Sequence, residues 1–306
     1  MRVNQWVPAA HKGDAIGDSA RRVRTLLREM GHESDLYAMS IDDDLRGDVI
    51  PWTDTTAGRG DLTIFHFALV SPMTDAFARL DSGRVLQYHN VTPAHFFAGY
   101  DAAIYRLAML GREDLKRLVG HTDRALGDSE YNRQELEDLG FDNTGVFPIA
   151  VDTGRITGAP RRPALEEVLR EEGWLNFLFV GRIVPNKKIE DHIKLAEHYK
   201  RYVDEQYRFI FVGKTDATPN YYGDSRAAGA VSNAARTVHL HRTGSRRGPG
   251  HLLPDGERVC VPVGARGILR AAARSDGGRR AGARLCLDRG TGYAGWRRRA
   301  VCAKRP

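Results

Sequence analysis

WLNFLFVGRIVPNKK, residues Trp174–Lys188, joins an apolar, aromatic run to a glycine and two cations just ahead of a segment with helical period. The run Leu175–Val180 is too short for a membrane span and too apolar for a surface edge. It is expected as a buried strand in the middle of a parallel sheet, with both faces covered. Gly181 is expected to let the backbone turn sharply at the carboxyl end of that strand. Ile189, Ile193, Ala196, Tyr199 and Val203 recur at spacings of three and four, which makes one apolar stripe on the helix that follows. Arg182 and Lys187, with free N–H groups at the start of that helix, form a turn suited to a diphosphate through charge-assisted hydrogen bonds and the helix dipole. The same residues also suit a plain solvated basic loop in a βα unit.

Working outward, Tyr207–Val212 (YRFIFV) repeats the buried-strand pattern. Toward the amino end, Val3–Val7 reads as a strand, followed by HKGDAIGDSA with Gly13 and Gly17. Asp18 or Ser19 is expected to cap the next helix, whose inner face is Ala20, Val23, Leu27 and Met30, and Gly31 ends it. A glycine pair after a strand suits a phosphate or sugar contact, although turns use glycine anyway. Leu36–Met39 and Leu62–Leu69 read as further strands, and Val85–Tyr88 is a strand that delivers His89 and Asn90 at its carboxyl end. Open α/β sheets place ligands there, and a histidine in that position can donate to a substrate hydroxyl or act as a general acid. A structural histidine with its hydrogen bonds satisfied is the competing reading. Tyr105–Leu118 is helical, and Ser129 caps a helix running to Leu139, with Gly140 as its stop. Strands alternating with helices predict a parallel α/β sheet.

Charge divides the chain. The whole carries 46 Lys and Arg against 39 Asp and Glu, a net +7. From Gly223 onward there are 17 Arg, one Lys and five acidic residues, so the first 222 residues are net acidic. All three cysteines, Cys260, Cys286 and Cys302, lie in the same basic stretch. With no cysteine in the remainder, a disulfide framework is not expected there, and an intracellular, cytoplasmic protein fits best. The amino end lacks the apolar core of a signal peptide, and no run approaches the ~20 apolar residues of a membrane span. The stretch 223–306 contains no Phe, one Ile and Arg/Ala/Gly mixtures without sustained period. By composition it is read as disordered, because it cannot bury enough apolar surface to offset chain entropy.

Taken in order, these segments carry a resemblance. FLFVGRIVPNKKIEDHI is similar to the phosphate-binding start of the second domain of retaining glycosyltransferases of family 4. VLQYHN resembles that family's first-domain strand ending in the active-site histidine. GDSEYNRQELEDLGF followed by VFPIAVD resembles the segment leading into the interdomain linker, and HKGDAIGDSA sits where the family has its amino-terminal glycine loop. The resemblance covers about residues 1–222 and implies a GT-B fold of two facing Rossmann-like domains. The divisions expected are an acceptor-side domain (1–152), a linker (153–173), a partial nucleotide-sugar-binding domain (174–222) and a disordered basic tail (223–306). By the resemblance, Arg182 and Lys187 hold the donor diphosphate, His89 lies near the transferred sugar, and the Gly13–Gly17 loop approaches donor phosphates or sugar. Neither metal nor cofactor is implied: the nucleotide-sugar is a substrate, and fixed cations stabilise the departing phosphate. The implied partners are that donor and a carbohydrate or lipid-linked acceptor.

The family continues its second domain with an acidic motif of two spaced glutamates, and nothing in 223–306 matches it. Ordinary GC-rich codons for Val263–Arg270, read one base later, encode SEHEGFC. The same shift from about Gly223 allows a longer peptide resembling the missing segment. The tail is therefore expected to be out of frame, with activity of the chain as written impaired. Competing classes are a sugar- or nucleotide-binding module without turnover and a nucleic-acid binder acting through the arginine tail. Nucleic acid is not the expected partner, since the tail has one Tyr and one Trp to stack bases and the body is acidic. An NAD-dependent oxidoreductase is disfavoured because the amino-terminal loop lacks GxGxxG.

Overall fold

A computed structural model describes residues 1–11, 13–53, 56–154, 158, 163–170, 173–231 and 238–242. The first part runs β1 (Val3–Ala10), α1 (Ala15–Glu29), β2 (Leu36–Ile41), β3 (Ile50–Pro51), β4 (Leu62–Phe67), α2 (Met73–Ala78), β5 (Gly83–Tyr88), α3 (Ala102–Lys116), β6 (Arg124–Gly127), α4 (Glu130–Asp138) and β7 (Thr144–Val146). The second runs α5 (Pro163–Leu169), β8 (Leu175–Val180), α6 (Ile189–Tyr202), β9 (Tyr207–Gly213), α7 (Pro219–Val231) and β10 (Val238–Arg242).

The first seven strands make one sheet in the order β3-β2-β1-β4-β5-β6-β7, and every pairing is parallel. Parallel neighbours need crossovers, and α1, α2, α3 and α4 supply them, so apolar side chains pack on both faces of the strands. Val7, Ala10, Leu36 and Ala38 bury against Ala20 of α1, while Trp6, Phe65, Phe67 and Tyr88 pack with Phe77, Leu115 and Leu136. Strand order reverses between β1 and β4, which opens a crevice at their carboxyl ends.

The helix limits follow local chemistry. Asp14, rather than Asp18 or Ser19, caps α1, accepting from the N–H groups of Ile16 and Gly17 at 3.1 and 3.0 Å. The helix starts earlier than expected, which leaves Ser19 buried inside it, where its Oγ accepts the N–H of Ala150 at 2.9 Å. Of the expected inner face, Ala20 and Val23 are buried, but Met30 is 71% exposed. Arg24 takes a buried position instead, because its guanidinium pairs with the Asp48 carboxylate and its length reaches that partner. Gly31 ends the helix with φ +84°, and Ser129 caps α4 as read from the sequence.

The second sheet has the order β10-β9-β8, again parallel, and is smaller than the first among the described residues. Here two expectations change. Strand β8 lies at the edge of these three strands, with Leu175 47% exposed, and β9 is the buried centre. One face of β8 still packs on α6, through Phe177 against Tyr199 at 5.1 Å and Phe179 against His192 at 5.4 Å. Ordered elements also continue past Tyr222: α7 runs to Val231, and β10 pairs with Phe209–Gly213 of β9. VHLHR holds a single short apolar/polar alternation inside an arginine-rich stretch, too brief to be seen as a strand without its partner. The rest of the expected tail, 232–237 and 243–306 with its three cysteines, lies outside the described residues. Among the described residues no helix is long and apolar enough to cross a membrane.

Candidate functional site

The carboxyl ends of the two sheets meet through the segments that follow β5 and β8. Asn186, in the short 3-10 turn Pro185–Lys187, donates from Nδ2 to Thr92 Oγ1 at 3.4 Å. Asn220 at the start of α7 donates to the carbonyl of Tyr100 at 3.2 Å, and the Tyr100 and Tyr221 rings pack edge to face at 5.1 Å. These contacts bring the Arg182–Lys187 turn up to the chain just beyond His89.

Arg182 and Lys187 are both exposed, and neither has an ion pair among the described residues. Their turn is built from beneath by α7. The buried Thr218 hydroxyl donates to the Ile183 carbonyl at 3.3 Å. The Tyr221 hydroxyl accepts the Ile189 N–H at 2.7 Å and donates to the Glu190 carboxylate. The two bonds hold Ile183, next to Arg182, and Ile189, two residues beyond Lys187. They also revise the expectation of free N–H groups at the start of α6, because the first of them is already bound. Lys188 links turn and helix at φ +48°, so the change in chain direction falls there. Gly181 has no positive φ. The glycine that close packing requires is Gly213, where a Cβ would sit 1.7 Å from the Gly181 carbonyl oxygen.

On the first sheet, His89 immediately follows β5, but its imidazole is turned inward, with the side chain 1% exposed. Its Nε2 lies 3.0 Å from Nδ1 of His66 on β4, and His66 Nε2 lies 2.9 Å from Oε1 of Gln5 on β1. Its Nδ1 has no hydrogen bond and stands 3.6 Å from the Asp128 carboxylate. Burial first, then the neighbouring His89, hold His66 well below the ordinary histidine pKa. Asn90, at φ +67°, donates to Asn132 at 2.9 Å, and Asn132 donates to Asp128. Asparagine tolerates this left-handed backbone better than most side chains do. Below, the Tyr88 hydroxyl accepts the Val91 N–H at 3.1 Å and donates to Glu135, while Arg112 bonds the Val91 carbonyl and Glu135. Burial raises the Tyr88 pKa, so this hydroxyl stays protonated.

Gly13, at φ +78°, lies open in the loop after β1, at the same end of the sheet as His89. Gly17 is in the first turn of α1, where its N–H is already given to Asp14. Among the described residues no hydrogen bond joins this loop to the Arg182–Lys187 turn. His66, Gln5, Asp128, Thr218 and Tyr221 are site residues that sequence reasoning missed. His66 carried a signal, since a lone histidine near the end of the apolar strand LTIFHFAL is paired in register with Gln87, two residues before His89. No set of three or more His, Cys, Asp or Glu among the described residues is placed to hold a metal ion.

No protein-family model matches the chain, and no curated protein matches it. Solved structures do. Sucrose-phosphate synthase from Thermosynechococcus elongatus superposes with a TM-score of 0.58 at 12% identity, over 79% of this chain and 70% of that one. The E. coli trehalose-6-phosphate protein bound with UDP-2-fluoro glucose gives 0.53 at 11%, over 81% and 74%. WaaG, a glycosyltransferase involved in lipopolysaccharide biosynthesis, gives 0.52 at 11%, over 78% and 70%. The chain has the α/β fold of these GT-B proteins.

Proposed function

We propose that this chain is built for glycosyl transfer from a nucleotide-sugar donor, with retention, to a carbohydrate or lipid-linked acceptor, as in family 4. The observation that carries the reading is the pair Arg182 and Lys187: exposed, without ion pairs among the described residues, on a turn that Asn186 ties to Thr92 beside His89. Exposed cations of this kind, on a turn braced from behind, are matched to a diphosphate. As the nucleotide leaves, negative charge grows on its phosphate, and fixed guanidinium and ammonium groups stabilise it without a metal or cofactor. The Gly13–Gly17 loop takes a narrower role than diphosphate binding. The Asp14 carboxylate occupies the N–H groups at the start of α1, so Gly13 offers bare backbone to sugar hydroxyls rather than to phosphate. A cytoplasmic location accords with this substrate.

The donor half is read as impaired. Strand β8 has one neighbour among the described residues, and the tail lacks the family's acidic motif, which fits a one-base frame error near Gly223. Sequencing the DNA across the codons for Tyr222–Asp224 tests the frame. Calorimetric titration of UDP and UDP-glucose into the chain as written and into its frame-restored form, with turnover measured alongside, tests the function. Binding weakened roughly ten- to a hundredfold by Arg182→Ala together with turnover only in the restored form supports the reading. Binding without turnover in both forms points to a non-catalytic sugar-nucleotide module. If neither form binds, the donor site is wrong.

A further inference from the structure

A buried chain of hydrogen bonds crosses the first sheet from α1 to Asp128, and its direction follows from its first member. The Ala20 carbonyl in α1 can only accept, and Gln5 Nε2 donates to it at 3.1 Å. That orientation turns Gln5 Oε1, an acceptor, toward His66 Nε2 at 2.9 Å, so His66 carries its proton on Nε2. His66 is wholly buried and held neutral, so its Nδ1 is a bare acceptor. The atom facing it at 3.0 Å, His89 Nε2, must then be the donor. In neutral His89 this leaves Nδ1 bare, and Nδ1 is the buried atom without a hydrogen-bond partner, 3.6 Å from Asp128. Reversing the chain would turn the Gln5 carbonyl oxygen onto the Ala20 carbonyl oxygen, two acceptors in contact with no proton between them.

We propose that Gln5 and His66 are positioning residues that lock His89 in the Nε2–H tautomer, with its bare Nδ1 facing Asp128. The titratable groups facing this ring are His66 from β4 and Asp128 from the turn after β6; Gln5 and Asn132 are uncharged, and Arg112 and Glu135 are engaged with each other beneath Val91. The lock goes beyond the proposed transfer and does not depend on a complete donor site. Its bearing on transfer, as the fixed orientation of the His89 ring, rests on that reading.

The test is long-range ¹H–¹⁵N correlation of the imidazole nitrogens in the full 306-residue chain, from pH 5 to 8, assigned with His66→Gln and His89→Gln. The expected neutral form of both rings is Nε2–H. In His66→Leu, which removes the acceptor, at least half of neutral His89 should pass to the Nδ1–H form, whereas the carbonyl of His66→Gln should preserve Nε2–H. Gln5→Leu should release the tautomers of both histidines. A native His89 carrying its proton on Nδ1 overturns the proposal, as does a His89 tautomer unmoved in folded His66→Leu. Because the native spectrum decides by itself, a variant that fails to fold leaves the proposal open to refutation. Donor titration of the same samples reports separately on the transfer reading.

Discussion

The Tyr221 hydroxyl accepts the N–H of Ile189 at 2.7 Å while its ring stands edge-on to Tyr100, so one side chain of α7 touches both the helix start after the Arg182–Lys187 turn and the first sheet's loop. Burial, and next the bond to Glu190, raise the pKa of this hydroxyl, so it remains protonated through the physiological range. Tyr221→Phe keeps the ring and removes the acceptor, leaving the Ile189 N–H unpaired in a buried position. The expected loss is about 1–3 kcal/mol in urea unfolding, with weaker binding of the donor diphosphate. Unchanged stability and unchanged affinity together would refute this role.

At the end of β9, Gly213→Ala would set a methyl group 1.7 Å from the Gly181 carbonyl oxygen, so β8 and β9 must separate there. A loss of about 1–3 kcal/mol is expected, the cost of forcing atoms into a packed site. Gly99→Ala is the control, since nothing lies within 4 Å of its Cβ position, and its unfolding midpoint should stay the same or rise slightly.

Removing the cations separates binding from stability. Arg182→Ala and Lys187→Ala act on exposed side chains without ion pairs among the described residues, so melting temperature should move little. In the frame-restored protein each should weaken UDP-sugar affinity by about 1.5–3 kcal/mol, roughly ten- to a hundredfold. Parent-protein affinity should also fall as salt rises from 50 to 500 mM. A pronounced melting shift without an affinity change would return the turn to a plain structural loop.

Stability should fall with acidity on account of His66. The folded protein holds this ring neutral, with its pKa below the ordinary 6.5, whereas the unfolded chain protonates it near that value. The stabilisation is therefore complete above about pH 6.5 and is lost as pH falls from there toward the folded pKa, at up to about 1.4 kcal/mol per pH unit. Urea midpoints at pH 7.5, 6.0 and 5.0 measure it. His66→Gln, which has nothing to titrate, should flatten that part of the profile, and an identical slope in the variant would assign the effect elsewhere.

Local order determined what could be read from the sequence alone. The alternation of strand and helix, the caps at Ser129 and Gly31, the stripe Ile189–Ile193–Ala196 and the placement of Arg182 and Lys187 after a strand depend on neighbours within a few residues, where spacing alone carries the information. The tertiary structure decided whatever depends on residues far apart in the chain. Among the described residues strand β8 is an edge and β9 the centre, because pairing order is a long-range property. VHLHR became β10 by lying beside β9. His89 turned inward because β4 sets His66 3.0 Å away, and the tautomer it holds traces back to a carbonyl on α1. A side chain's type fixes what it can donate or accept, but only the packed sheets fix which partner stands within reach.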